Sequence, residues 1–307
     1  MSGTKDESGY KDLNETECND TVIREIPLIQ LGAGTVGREL IEKVKDWNDQ
    51  KSSVPRYEYV GLADKSGLAA KKEGFSEKEL EGILKVKENG EELVEICGEE
   101  LESIGFLEQL LEREKSGIFV DVTDADNFED YYRRALEQGW SVALANKVPL
   151  TEVEPEEFRS LKNSRLRYEA TVGAGLPVIA TLNHLERHGE EFKEIAGILS
   201  GSLSFILSRA EEGLGLKEAV LEAKKKGFTE PNPAEDLLGN DVARKAVILG
   251  RSLGLDLSLN DIELAPLVEL DEDISSKELE SELQAASTDF RRRVESANGA
   301  GNRLRYV

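Results

Sequence analysis

Apolar positions along the first half of the chain alternate between two spacings. Residues 26–31 (IPLIQL) form a short apolar run ending at a glycine, as a strand buried on both faces would. Val36, Leu40, Ile41 and Val44 then recur at helical spacing over 35–44. A second strand is predicted over 57–63, ending at Asp64, a third over 118–122 and a fourth over 141–145. A helix over 128–138, closed by Gly139, separates the last two, and the charged stretch 69–111 reads as helices broken by glycines. Strands that alternate with helices call for a parallel sheet covered on both faces. Beyond Thr151 the rhythm changes. A helix over 156–163, strands over 168–172 and 194–201, and helices over 203–211, 216–226 and 237–253 predict a second domain of mixed type. Residues 1–23 are polar and acidic without apolar periodicity, the pattern of a disordered tail.

Composition narrows the function classes. The 307 residues carry 62 acidic against 39 basic side chains, a formal charge of −23. Such a balance argues against nucleic acid as a partner, because binding phosphate backbones needs a basic footprint. It equally disfavours docking on an anionic membrane. No apolar run is long enough to span a bilayer, and no basic segment leads into an apolar stretch at the N-terminus. A cytoplasmic protein is the expectation. Cys18 and Cys97 cannot make a disulfide framework, and His184 and His188 alone cannot make a metal cluster.

The candidate chemistry starts at Gly32-Ala33-Gly34-Thr35-Val36-Gly37, a GxGxxG between a predicted strand and a predicted helix. The first glycine allows the tight turn, the second lets a pyrophosphate approach the backbone, and the third packs helix on strand. Unpaired N–H groups at the helix start suit the phosphates. A dinucleotide site, NAD or NADP, follows. Asp64 ends the second strand 27 residues after Gly37, where an acid accepts from the ribose of NAD, while Lys65 beside it would balance the 2′-phosphate of NADP. Thr123 and Asn146-Lys147 follow the third and fourth strands, at the carboxyl ends where ligands of such sheets bind.

Residues 223–245 hold the most specific stretch. Two prolines stiffen Thr229-Glu230-Pro231-Asn232-Pro233, a good mount for Glu230. Asp236 suits the N-cap of the following helix. Asp241 and Lys245 are four apart and share a helix face at the margin of the apolar side marked by Leu238, Val242, Ala246 and Leu249. An exposed pair at that spacing stabilises a helix by only about 0.3–0.5 kcal/mol. Three acids and a lysine beside a nicotinamide suit a small amino-bearing substrate that exchanges a proton along with hydride.

The glycine turn, Ala145-Asn146-Lys147, EATVGAGLPVI at 169–179, SGSLSFI at 200–206 and the 223–245 stretch together resemble homoserine dehydrogenases, from about residue 24 to the end. The resemblance implies reversible oxidation of L-homoserine to L-aspartate 4-semialdehyde with NAD or NADP, in threonine, methionine and isoleucine biosynthesis. It implies a Rossmann-type nucleotide-binding domain over 24–164, and a smaller α+β substrate and dimerisation domain over 165–307 that builds a homodimer. Residue by residue, Lys245 would be catalytic, positioned by Asp241. Glu230 would hold the substrate amino group and Asp236 would complete the polar site. Lys147 would contact the cofactor and is the rival proton relay, and Thr123 would lie against the cofactor. A lysine base needs its pKa lowered by burial or neighbouring cations. Glu169, with the carbonyls of Val172, Ala174 and Leu176, would hold a monovalent cation such as Na+. Relatives continue past the point matching Val307, so a closing segment of the first domain is expected to be missing. A catalytically weak, truncated dinucleotide-binding protein is the alternative. A phosphorylating semialdehyde dehydrogenase would need a thiol opposite the nicotinamide, and neither cysteine is placed for it.

Overall fold

The computed structural model describes residues 25–50, 55–71, 73–93, 111, 116–162, 165–271 and 274–307. The readings made for residues 1–23, Cys18 and Cys97 lie outside the described residues.

Six strands, β1 (Glu25–Leu31), β2 (Arg56–Asp64), β3 (Gly67–Ala70), β4 (Ile118–Asp121), β5 (Ser141–Leu144) and β6 (Leu166–Arg167), form one sheet in the order β3-β2-β1-β4-β5-β6. Every pairing is parallel except the hairpin between β2 and β3, which the periodicity did not reveal. The direction of travel across the sheet reverses at β1, flanked by β2 and β4, so a crevice opens at the carboxyl ends of β1 and β4. Among the described residues these helices accompany the strands: α1 (Thr35–Gln50), α2 (Glu77–Glu88), α3 (Glu129–Glu137), α4 (Val148–Glu152) and α5 (Pro155–Leu161). Ile41 and Val44 of α1 and Leu80 and Ile83 of α2 pack with Leu28 and Leu62 on one face of the sheet. On the other face Ile29 and Phe119 meet Tyr132, Trp140 and Phe158. Both faces are therefore covered, which explains the continuous apolar run in β1.

Past the sheet come α6 (Val178–Arg187), α7 (Gly201–Glu211), α8 (Leu216–Lys225), α9 (Pro233–Leu238), α10 (Asn240–Ser252) and α11 (Ser276–Gly299). Their apolar sides build a separate core in which Leu203, Ile206, Val220, Leu237, Leu283 and Phe290 are buried. None of the described helices is long and apolar enough to cross a membrane.

Three expectations need correction here. The strand expected over 168–172 is a single 3-10 turn, Glu169–Thr171, closed by the Thr171 hydroxyl donating to the Tyr168 carbonyl at 2.6 Å. The strand itself lies just before it as β6 and pairs with β5, so the first sheet reaches past residue 164. The stretch 194–200 is not assigned to a strand and leaves Ile195 and Ile198 exposed, while Gly201 already begins α7 with Ser200 as its cap. The helix expected over 237–253 is two helices, broken at Gly239, whose φ of 81° is left-handed. A Cβ there would also lie 2.3 Å from the Tyr306 hydroxyl.

The break leaves α10 free to cross between the two cores. Val242 is buried in the second core and Ile248 and Leu249 in the first. Arg251, near its end, is buried and donates to the carbonyls of Leu257 (2.6 Å), Leu150 (2.8 Å) and Val153 (2.9 Å). Arg244 donates to Thr151 Oγ1 and Glu152, each at 2.7 Å. Helices α4 and α10 are thus clamped together, and their first turns carry Lys147 and Asp241 into the same space.

Candidate active site

The glycine turn follows from sterics that the structure makes explicit. Gly32 has φ +100°, and its N–H donates to the Ala63 carbonyl at 2.7 Å, tying the turn to the end of β2. A Cβ on Gly37 would lie 2.1 Å from the Gly32 carbonyl oxygen, so α1 approaches the strand end as only a glycine permits. A Cβ on Gly34 would meet nothing within 4 Å. That position faces open space at the start of α1, a helix with no acidic residue in its first turn. Ala33 is buried, and Val36 on the same turn is exposed. Room at Gly34 and the open helix start with Thr35 fit a dinucleotide pyrophosphate. Sequence reading passed over Gln30, fully buried one residue before the end of β1. Its side-chain nitrogen donates to the carbonyls of Gly32 (2.7 Å) and Gly37 (3.1 Å), and its oxygen accepts from Tyr59 at 2.7 Å. A polar residue inside an apolar strand beside a GxGxxG was the available signal.

At the end of β2, Asp64 is already engaged. One carboxylate oxygen accepts from the Ser66 N–H (2.8 Å) and hydroxyl (2.5 Å), and the other lies 2.7 Å from Lys87 Nζ. Burial raises the Asp64 pKa, but the Lys87 and Ser66 contacts outweigh it and hold the carboxyl below its ordinary range. Lys65 is exposed and makes no ion pair with any described residue.

Asp121, at the end of β4, is fully buried and organises the middle of the crevice. It accepts from the Thr123 N–H (2.8 Å) and hydroxyl (2.7 Å), from Asn146 Nδ2 (3.0 Å) and from the Tyr132 hydroxyl. Asn146 in turn donates to the Ala125 carbonyl at 2.7 Å and accepts from the Val148 N–H at 3.0 Å. The loops after β4 and β5 are locked together, and Lys147 is fixed next to this lock. An acid closing an otherwise apolar strand was the clue.

Lys147 reaches across to the second lobe. Its Nζ lies 3.2 Å from Asp241 Oδ1, while Asp241 Oδ2 lies 2.6 Å from Lys245 Nζ. Lys245 also donates to the Leu199 carbonyl at 2.7 Å. Burial pushes the Asp241 pKa up, but the two ammonium groups prevail and keep the carboxyl below its usual value. Asp236 is not the helix cap that its spacing suggests. Asn232 caps α9, accepting from the Ala234 N–H at 3.3 Å, because Pro233 must occupy the first helical position. Asp236 lies inside α9 and turns its carboxylate toward the site, accepting from Ser202 Oγ (2.5 Å) and from the Glu230 N–H (2.9 Å). Glu230 stands among acids: burial first, then Asp236, Glu235, Asp241 and Asp124, raise its pKa. Asp124 belongs to the loop after β4, so charges of both lobes converge here.

Between these groups lies a cleft of about 560 Å³ lined by Ser200, Gly201, Ser202, Phe205, Gly227, Phe228, Asp241 and Lys245. The Phe205 and Phe228 rings meet edge to face with centroids 4.9 Å apart. Ser200, Ser202 and Phe205 belong to the SGSLSFI motif and Phe228 to the 223–245 stretch, but sequence reading assigned none of them a place in the site. A smaller cleft of about 260 Å³ opens among Lys45, Arg56 and Phe75, at the opposite end of β2 and away from this chemistry.

In the 169–176 loop several of the candidate oxygens meet groups of the chain itself. Both carboxylate oxygens of Glu169 accept backbone N–H groups at the start of α6, from Ile179 and Ala180, each at 2.8 Å. The Leu176 carbonyl accepts from the Val178 N–H at 2.9 Å. Val172 is buried and Ala174 takes a left-handed φ of 50°. No group of three or more metal-ligating side chains occurs among the described residues.

Two family models match the chain: one described as the homoserine dehydrogenase NAD-binding domain over residues 32–165, the other as homoserine dehydrogenase over 177–307. A bifunctional aspartokinase/homoserine dehydrogenase of Haemophilus influenzae is 34% identical over 92% of this chain and 34% of its own length. The chain thus spans about a third of that curated relative. A homoserine dehydrogenase of Pyrococcus horikoshii is 33% identical over 71% of this chain and 66% of its own length. Among solved structures, a hyperthermophilic archaeal homoserine dehydrogenase in complex with NADPH superposes with a TM-score of 0.63 at 28% identity, covering 81% of this chain and 83% of that one.

Proposed function

The chain belongs to the homoserine dehydrogenase family, and from that premise we propose that it interconverts L-homoserine and L-aspartate 4-semialdehyde. The observation that carries the reading is the chain of charges Lys147–Asp241–Lys245 across the mouth of a crevice whose other side holds Glu230 and Asp236. Bound NAD(P) supplies the hydride acceptor; the residues around it do the rest. Glu230, with Asp236 and Asp241 nearby, attracts the substrate ammonium. Lys245 lines the cleft and, as the neutral amine after releasing one proton to solvent, accepts the hydroxyl proton when hydride leaves the carbinol carbon, and returns it in the reverse direction. Asp241 fixes that ammonium group and balances the charge it gains. Lys147, held by the Asp121–Asn146 lock, faces the same carboxylate from the nucleotide lobe and is assigned to the cofactor side with Thr123.

A homodimer is proposed with it. The 194–199 segment, which pairs with no described strand and exposes Ile195 and Ile198, supports that assembly, since an apolar stretch without a neighbour invites a second chain. A Na+ site at Glu169, Val172, Ala174 and Leu176 rests on the oxygen lone pairs left over after α6 is capped. Titration with Na+ in a choline background, read as a change in protein fluorescence, tests it. The reading as a whole is tested by following reduced-nicotinamide absorbance with L-homoserine and either NAD or NADP. Cofactor binding without homoserine turnover would refute it in favour of a truncated binding protein.

A further inference from the structure

Resting on the dinucleotide reading above, we propose that the Asp64–Lys87 ion pair makes the ribose corner of the cofactor site electrically neutral, so that Lys87 decides whether a 2′-phosphate is accepted. Asp64 stands where an acid at the end of the second strand normally takes the ribose hydroxyls and repels a 2′-phosphate. Its place beside the glycine turn is fixed by the Gly32 N–H bond to the Ala63 carbonyl. The lysine arrives from α2, 23 positions further along the chain, and seats its ammonium 2.7 Å from Asp64 Oδ2 and 3.0 Å from the Glu91 carbonyl. Ser66 braces the same corner, its hydroxyl accepting from the Leu93 N–H at 3.0 Å while donating to Asp64. Both charged side chains are largely covered, with 11% of Asp64 and 14% of Lys87 exposed, so solvent screens the pair less than a surface pair.

The assignment predicts a corner with little preference. The Ser66 and Lys87 contacts account for three of the lone-pair sites on Asp64, leaving one to accept a ribose hydroxyl. The Lys87 charge offsets the acid that would otherwise repel a phosphate, and exposed Lys65 adds a second cation beside it. NAD and NADP are then both admitted. Sequence alone offered only Lys65 for this role, because Lys87 lies in another element and the hairpin β2–β3 is what brings α2 back to the strand end.

Direct titration of NADH and NADPH by nicotinamide fluorescence tests this without turnover. The unmodified protein is expected to bind the two within about tenfold of each other. Lys87→Met, which keeps the apolar stem, should weaken NADPH about tenfold or more and leave NADH within about threefold. Tenfold is the scale of one nearby unit charge removed under intermediate screening. Lys87→Arg should retain NADPH binding, and Asp64→Asn should shift the ratio toward NADPH. Equal weakening of both cofactors in Lys87→Met, or no change in their ratio, overturns the assignment. So does an unmodified protein that prefers one cofactor by more than about a hundredfold. If the unmodified protein binds neither cofactor, the dinucleotide reading itself falls.

Discussion

Replacing the third glycine of the turn by alanine isolates what the fold demands from what the cofactor demands. A Cβ on Gly37 would stand 2.1 Å from the Gly32 carbonyl oxygen and 2.8 Å from both the Gly32 carbonyl carbon and Gln30 Nε2. Two of the three neighbours are backbone, so relief requires α1 to retreat from β1 by about 1 Å, comparable to core overpacking at about 1–3 kcal/mol. The same movement stretches the two bonds from Gln30, worth about 1 kcal/mol each. A loss of about 3 kcal/mol is therefore expected. For a chain of this size it lowers Tm by about 5 °C, measurable by calorimetry without cofactor. Gly34→Ala is the counterpart. Its methyl meets nothing in the folded chain, so Tm should hold or rise slightly. NADPH affinity should nevertheless fall at least about tenfold, because the methyl takes the room of the pyrophosphate. Equal melting temperatures for the two variants would refute the steric reasoning. Undiminished NADPH binding by Gly34→Ala would refute the location of the pyrophosphate.

Further variants probe the other half of the site. Lys245→Met should lower kcat at least about a hundredfold with cofactor affinity within threefold, whereas Lys147→Met should weaken the cofactor as well; steady-state rates beside fluorescence titration separate them. Glu230 must be ionised to hold an ammonium, and its pKa is raised, so the KM for homoserine should climb on acidification at a higher pH than an ordinary glutamate would dictate. Glu230→Gln should raise KM and flatten that profile. Because the folded form binds this proton more tightly than the unfolded chain, Glu230 loses stability as pH rises through the window from about 4.3 to its raised value, and the glutamine variant should melt no lower at neutral pH. Asp121→Asn keeps the shape but loses the charge that four donors address, so urea denaturation should register a loss of about 2–3 kcal/mol, with kcat falling in parallel as Lys147 loosens. Arg251→Met strips three carbonyls of their donor and should destabilise by about 3 kcal/mol in the same assay.

The corrections share one cause. The apolar run of 194–199 has the composition of a strand, yet no described neighbour offers a ladder, and composition cannot report a missing partner. Asp236 has the spacing of a cap, but Pro233 at the first helical position fixes the cap at Asn232 and frees Asp236 for Ser202 and Glu230. The Glu169 oxygens accept the N–H groups at the start of α6, contacts that resemblance alone did not show. Neither composition nor spacing could say which neighbour the fold would supply in each case.

By itself the sequence determined the features that local geometry enforces: the buried parallel strands, the glycine turn, the rigid loop around Glu230, and the shared face of Asp241 and Lys245. These depend on residues within a turn or two of one another, where periodicity and sterics act directly. Only the tertiary structure decided that Lys147 and Lys245 share Asp241, that Asp121 locks two loops, and that Lys87 neutralises Asp64. The pairings Lys147–Asp241, Asp121–Asn146 and Asp64–Lys87 join elements brought together by burial of the two cores. The hydrophobic effect has no direction, so the pattern that drives collapse does not say which charges will meet.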